Sequence, residues 1–249
     1  MAHRSDIDVY LSAVLQVASF KDYGPNGLQI EGRSGVTRVV SGVTASLALI
    51  EAAIAADADA VLVHHGLFWR GHDGRLTGWL KQRVQRLMAH DINLFAYHLP
   101  LDAHAEFGNN AQFGRRIGVS ADARFGEQSL GFVGPLEQPM TTQEMLGRLR
   151  QISSRMPAHV EGDGRALRRV AWCTGGAQSY FEGAIAAGAD VFITGEMSEP
   201  QVHLARETGV AFIACGHHAS ERYGVQALGA HIAEHFGVEH RYIEIDSPA

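Results

Sequence analysis

The feature that most constrains this chain of 249 residues is a segment that occurs twice. VVSGVTASLALIEAAIAADADAVLVHHG (39–66) lies without a gap on VAWCTGGAQSYFEGAIAAGADVFITGEM (170–197), at a constant offset of 131 residues. Glu51/Glu182, Ile54/Ile185 and Asp59/Asp190 all fall in register. Each copy reads as a β-branched apolar strand, a small-residue turn, an Ala-rich helix and a second apolar strand. That order is a βαβ unit, a parallel strand pair with a right-handed crossover. Both copies continue into a further apolar strand, NLFAY (93–97) and AFIAC (211–215). Each then reaches a histidine followed four residues on by a carboxylate, His98/Asp102 and His217/Glu221, where the offset falls to 119.

The repeat predicts an α/β fold of two related three-layer α/β lobes with mostly parallel sheets. The first lobe is expected over 1–125 and the second over 126–249, with LGFVGPLEQPMT (130–141) breaking the helical pattern near the boundary. One continuous α/β sheet without duplication is the alternative. Helices are expected over 5–17, 45–57, 80–90, 106–117, 142–152, 177–188 and 220–236.

Composition closes off other classes. At 46% hydrophobic the chain can bury a sizeable core, and no run of about 18 apolar residues offers a membrane span. The opening MAHRSDIDVY lacks the apolar stretch of a signal peptide, so a cytoplasmic protein is expected. A formal net charge of −6 argues against nucleic acid as a general partner. Cys173 and Cys215, the two cysteines, read as small buried hydrophobes rather than a disulfide. Phosphate-cradling GxxxxGK[ST] and GxGxxG loops are absent, as is GxSxG.

What remains is histidine, 14 in number, and its placement. Ligands of open α/β sheets bind beyond the carboxyl ends of the strands. AVLV (60–63) runs into His64-His65-Gly66, and NLFAY into His98, Asp102 and His104. VFIT (191–194) runs into Gly195-Glu196, and AFIAC into His217, His218 and Glu221. Imidazole with carboxylate and no thiolate suits zinc, iron, manganese or nickel rather than calcium. His64 and His65, adjacent at a strand end, are placed to serve two neighbouring cations. His217 and Glu221, four apart, share one face of a helix expected to begin near Ala219. A carboxylate there is favoured by the helix amides and can bridge two ions. Asp102 is its match in the first copy.

His98 reads as a ligand, a proton shuttle or a supporting group. Glu196, the repeat partner of His65, reads as a residue that orients water or substrate. His104 and His218 are weaker candidates, and the remaining histidines, His231 and His240 among them, read as ordinary surface or helix positions. The stretch Asp22–Gln29 is turn chemistry or a lip over the site.

VHHG (63–66), HLPLD (98–102), TGE (194–196) and GHHASE (216–221), with DYGPNGLQIEG (22–32), resemble the Nif-three-like family of dinuclear metal-centre proteins. Bacterial members of that family carry the name GTP cyclohydrolase I type 2 homologue. The resemblance covers essentially the full chain and keeps the motifs in the family's order. It implies two divalent transition metal ions in the cleft between the lobes, held by His64, His65, Asp102, His217 and Glu221. His64 and His217 would hold one ion, His65 and Asp102 the other, and Glu221 would bridge. It also implies a toroidal homohexamer built as a trimer of dimers. Leu99 stands where many relatives carry Thr, which leaves the ligand pattern intact.

The activity implied is that of a metal-dependent hydrolase acting on a nucleotide, by opening of the GTP ring or by phosphoester hydrolysis. His98 and Glu196 would then be the catalytic proton carriers, and Arg70 and Arg222 would grip phosphate oxygens. The alternative from another class is a non-enzymatic metal-binding scaffold or metal-handling protein, which needs the same ligands.

Overall fold

Alternate residues of the repeated strands feed two different cores, which is what a strand covered by helices on both faces requires. The computed structural model describes residues 1–249. Its contacts group Met1–Gly108 with Gly224–Asp246 as one unit, and Asn109–Tyr223 with Ser247–Ala249 as a second. This differs from a cut between 125 and 126, and packing gives the reason. Phe113 and Ile117 are buried with Met145, Leu149 and Trp172, so the helix before residue 125 belongs to the second unit. Val225, Leu228 and Ile232 are buried with Ile7 and Leu11, so the last helix returns to the first.

In chain order the first unit holds β1 (Ala2–His3), α1 (Arg4–Val14), β2 (Gly27–Ile30), β3 (Gly35–Val36) and β4 (Arg38–Thr44). α2 (Leu47–Ala55), β5 (Ala60–His65), α3 (Gly78–Ala89), β6 (Asn93–Ala96) and α4 (Leu99–Ala103) follow. The second unit begins with α5 (Asn109–Ile117), β7 (Ala123–Phe125), β8 (Gly131–Met140), α6 (Thr142–Ser153) and β9 (Ala158–Val160). It continues with β10 (Leu167–Trp172), α7 (Phe181–Ala186), β11 (Val191–Thr194), α8 (Glu199–Thr208) and β12 (Ala211–Ala214). Helix α9 (His217–Phe236) starts in the second unit and ends in the first, where β13 (Glu239–Tyr242) closes the order. No helix is long and apolar enough to cross a membrane.

The first unit's main sheet has the order β13-β4-β5-β6-β2, parallel throughout except for β2. The second unit's sheet runs β7-β8-β10-β11-β12-β9, with β10, β11 and β12 parallel and the flanking strands antiparallel. The α/β class expected from the repeat is therefore observed, and so is its register. Val39 pairs with Ala60 and Val170 with Val191, each residue 131 positions from its counterpart. The third strands break step: Ala60 pairs with Asn93 and Val191 with Ala211, which sets Asn93 on Ala211, 118 apart. By sheet position His98 corresponds to Gly216 rather than His217, so the second copy's histidine lies one residue further along than the strand register of 118 places it.

Packing explains the apolar runs. Along β5, Val61 and Val63 face a core with α2 and α3, while Ala60 and Leu62 face one with α1 and α9. In the second unit Val191 and Ile193 pack with α5 and α6. Phe192 turns the other way, onto Phe181 and Phe212 at ring separations of 6.1 and 5.7 Å. Each such side chain contributes about 1.5–3 kcal/mol when fully buried. The repeated aspartates have one job in both copies. Asp59 Oδ2 accepts the N–H groups of Thr37 and Arg38 at 2.8 and 3.0 Å. Asp190 Oδ2 accepts those of Arg168 and Arg169 at the same distances. Each thus fixes where the first strand of its copy starts.

The expected helices form, with ends moved by a few residues. The 177–188 segment is a 3₁₀ turn at Gln178–Tyr180 followed by α7, and α9 begins at His217 rather than near Ala219. α4 and α8 were not expected. α8 nonetheless carries a helix signal, a capping box between Ser198 and Gln201 with Pro200 at its start.

Candidate metal centre

In the first unit two strand ends deliver the chemistry. β5 continues through both of its histidines, leaving His64 fully buried and His65 half-buried, with ring centres 4.6 Å apart. β6 ends just before His98, which caps α4, and α4 carries the buried Asp102. A side-chain nitrogen from each of His64, His65 and His98 lies within 4.8 Å of the others. His64 Nε2 is 3.5 Å from Asp102 Oδ1. The resemblance pairs Asp102 with His65, whereas the structure brings it to His64.

The second unit holds a different set. His217 opens α9, and Glu221 stands one turn on with Oε2 at 3.1 Å from His217 Nε2. His217 Nδ1 lies 2.6 Å from Glu196 Oε1 on the loop after β11. Glu221 is 3% exposed. Its space exists because residue 175 is glycine: a Cβ there would sit 1.9 Å from Glu221 Oε1, and the backbone φ of +73° suits no other residue well. Burial pushes His217 down, but the Glu221 and Glu196 carboxylates beside it overcome this and raise its pKa to about 9. A proton held between two carboxylates, one of them buried, marks a place that prefers positive charge. A divalent cation on Nε2 and Glu221 fits that preference.

One regularity runs through both sets. His64 Nδ1 meets the Tyr97 carbonyl at 2.9 Å, His65 Nδ1 the Thr44 hydroxyl at 3.1 Å, and His98 Nδ1 the Asp22 carboxylate at 2.7 Å. His217 Nδ1 meets Glu196. A carbonyl or carboxylate only accepts, so the rings of His64, His98 and His217 must donate from Nδ1, which turns Nε2 inward. Metal-ligating histidines show this arrangement, because the outer partner sets the tautomer and strengthens the donor.

Other expectations sort by the same geometry. Arg70 donates to the Asp22 carbonyl and Arg222 to the Ile152 carbonyl, so both expected phosphate grips hold backbone. His104 stacks on Phe107 and accepts its N–H, which serves the turn after α4. His231 and His240, read as ordinary positions, are packed inside the first unit on Tyr10 and Ser41 at 2.7 and 2.8 Å. Both cysteines are buried and neither is in a disulfide, and burial pushes the Cys215 thiol up to about 12, which leaves it inert. Sequence reasoning missed Asp22, Thr44 and the Tyr97 carbonyl. Only Asp22 carried a signal, as the first residue of the turn-forming stretch 22–29.

A family model for Duf34/NIF3 (NGG1p interacting factor 3) matches residues 2–248. A Neisseria meningitidis serogroup A protein named "GTP cyclohydrolase 1 type 2 homolog" is 49% identical over 249 residues, 100% of both chains. Among solved structures, "protein ybgI, unknown function" matches with a TM-score of 0.96 at 42% identity, over 99% of this chain and 100% of that one. TTHA1606 from Thermus thermophilus matches with a TM-score of 0.90 at 33% identity, again over 99% and 100%.

Proposed function

The chain belongs to the Duf34/NIF3 family, and on that premise we propose that it is a dinuclear metal protein acting as a metal-dependent hydrolase on a nucleotide. The ligands are His64, His65 and Asp102 from the first unit and His217 and Glu221 from the second, for two divalent transition metal ions. The observation that carries this reading is the shared use of Nδ1 on outer groups by every histidine of the two sets. Histidines spent on surface polarity have no reason to hold Nδ1 on an outer acceptor, as His64, His98 and His217 do. The nucleotide part rests on the relatives' name, which points to GTP ring opening, with phosphoester hydrolysis as the neighbouring chemistry.

Bound cations of this kind supply Lewis acidity and bring the pKa of water toward neutrality. The protein's part is to hold and move protons around them. Glu196, 46% exposed at its side chain, orients His217 and is open to solvent for proton exchange. His98 presents Nε2 among the first unit's imidazoles. Both are assigned as proton carriers. A homohexamer and a cytoplasmic location complete the reading, the latter in keeping with two buried cysteines that form no disulfide.

The test is a turnover assay of metal-loaded protein with GTP and other nucleoside triphosphates, following formate and phosphate release separately. Release of either, lost in His98→Ala with metal retained, supports the hydrolase. Full metal occupancy without turnover of any nucleotide overturns it and leaves the metal-handling reading.

A further inference from the structure

The stretch Asp22–Gln29 touches both histidine-bearing strand ends of the first unit, and the proposed function does not use it. Asp22 Oδ1 takes His98 Nδ1 at 2.7 Å, and Oδ2 accepts the Leu99 N–H at 2.9 Å. Asn26 Oδ1 accepts the His98 N–H at 2.7 Å, while Asn26 Nδ2 donates to Asp22 Oδ2 at 2.8 Å. His98 is thus gripped by backbone and ring at once. Gln29 reaches the other strand end, its Oε1 accepting the Leu67 N–H just past His64-His65 at 2.8 Å. Gly66 makes that reach possible, because a Cβ there would fall 2.3 Å from the Gln29 amide oxygen.

The Asp22 side chain is only 4% exposed. Burial pushes its pKa up, but hydrogen bonds with His98, Asn26 and the Tyr23 N–H hold it down at about 2. A buried ionised carboxylate is costly unless its partners are fixed, and here every partner named lies within the loop or at the start of α4. Neutral imidazole has one N–H to place. A carboxylate on Nδ1 claims it, so Nε2 keeps its lone pair, and a ring in the other tautomer could not accept a proton at Nε2.

We propose that Asp22 is a positioning residue, which with Asn26 locks His98 as the Nδ1–H tautomer and aims an accepting Nε2 at the His64–His65 pair. The inference deepens the function proposed above and rests on that reading for its catalytic consequence, but not for the tautomer itself.

The experiment is two-bond ¹H–¹⁵N correlation of the imidazole rings in metal-free, ¹⁵N-labelled protein, with His98→Gln identifying the His98 signals. In the unaltered protein His98 is expected as Nδ1–H. Asp22→Ala is expected to release it to the Nε2–H form, and Asp22→Asn, which keeps an acceptor oxygen, to restore Nδ1–H at least in part. On metal-loaded protein Asp22→Ala should keep its metal and lose roughly 10²–10⁴-fold in kcat, as loss of a general base does. A His98 ring that stays Nδ1–H in Asp22→Ala overturns the proposal, as does an unaltered protein already in the Nε2–H form. If Asp22→Ala fails to fold, the same two readouts on Asp22→Asn decide it: Nδ1–H retained supports the proposal and Nε2–H overturns it. Absence of turnover in the unaltered protein defeats the hydrolase reading alone, because the tautomer is read without metal or substrate.

Discussion

Strand β5 ends in His64-His65 and its counterpart β11 runs into Gly195-Glu196, 131 residues later and in the same parallel pairing. The strands before these ends are interchangeable in kind, buried on both faces and started by an aspartate that takes two backbone N–H groups. The residues beyond them are not. The first unit gathers three imidazoles around one place, whereas the second sets one imidazole between two carboxylates. Apolar strand interiors answer to packing, where a lost methylene is felt at once. Strand-end side chains answer only to what they bind, so the two copies kept one frame and diverged in donors.

If the frame is shared, its equivalent interior positions should cost alike. Leu62→Ala and Ile193→Ala, each fully buried and 131 apart, are expected to destabilise by about 2–5 kcal/mol apiece in urea unfolding. A loss below about 1 kcal/mol at only one of them would break the equivalence. The strand-start aspartates sharpen it. Asp59 also accepts the Thr37 hydroxyl at 2.6 Å and pairs with Arg33 at 3.0 Å, while the nearest guanidinium to Asp190 stands at 3.9 Å. Asp59→Ala should therefore cost about 1.5–3 kcal/mol, and Asp190→Ala nearer 1 kcal/mol.

The Asp59 contribution has a sign in pH. Burial pushes its carboxyl up, but the Thr37, Arg38 and Arg33 contacts outweigh this and hold it below the ordinary 3.8. Its stabilisation is then complete above pH 3.8 and lost as pH falls through the lower folded value. Acid unfolding of Asp59→Ala should be correspondingly shallower below pH 3.8, and an unchanged slope would remove Asp59 from the acid response.

The smallest effects separate the donors. Glu196→Ala is expected to weaken zinc binding about 10–100-fold while unfolding stays within about 0.5 kcal/mol, since its side chain is half-exposed. Thr44→Val, which removes a neutral hydroxyl from His65 rather than a charge from His217, should cost less affinity. The reverse order would show that carboxylate backing is not what distinguishes the second unit.

The sequence made legible what is local. The repeat, its strand pairing and the strand ends bearing His64, His65, His98, Asp102, Glu196, His217 and Glu221 all follow from runs of a few residues. What stayed hidden is made by folding. Thr44 and the Tyr97 carbonyl meet their histidines only once β4, β5 and β6 lie side by side, and Asp22 is 76 residues from His98. The return of α9 and β13 to the first unit is likewise a long-range choice, which no local pattern near residue 125 announces. The slip of one residue between His98 and His217 was also out of reach, because only sheet register reveals it.

The central claim is that the two donor sets hold two metal ions, and metal content per chain tests it most directly. Protein purified without added metal or chelator, then reconstituted with zinc, iron, manganese or nickel, should carry about two equivalents, falling in His65→Ala and in Glu221→Ala. Saturation at one equivalent, or no uptake with any of the four, would contradict it.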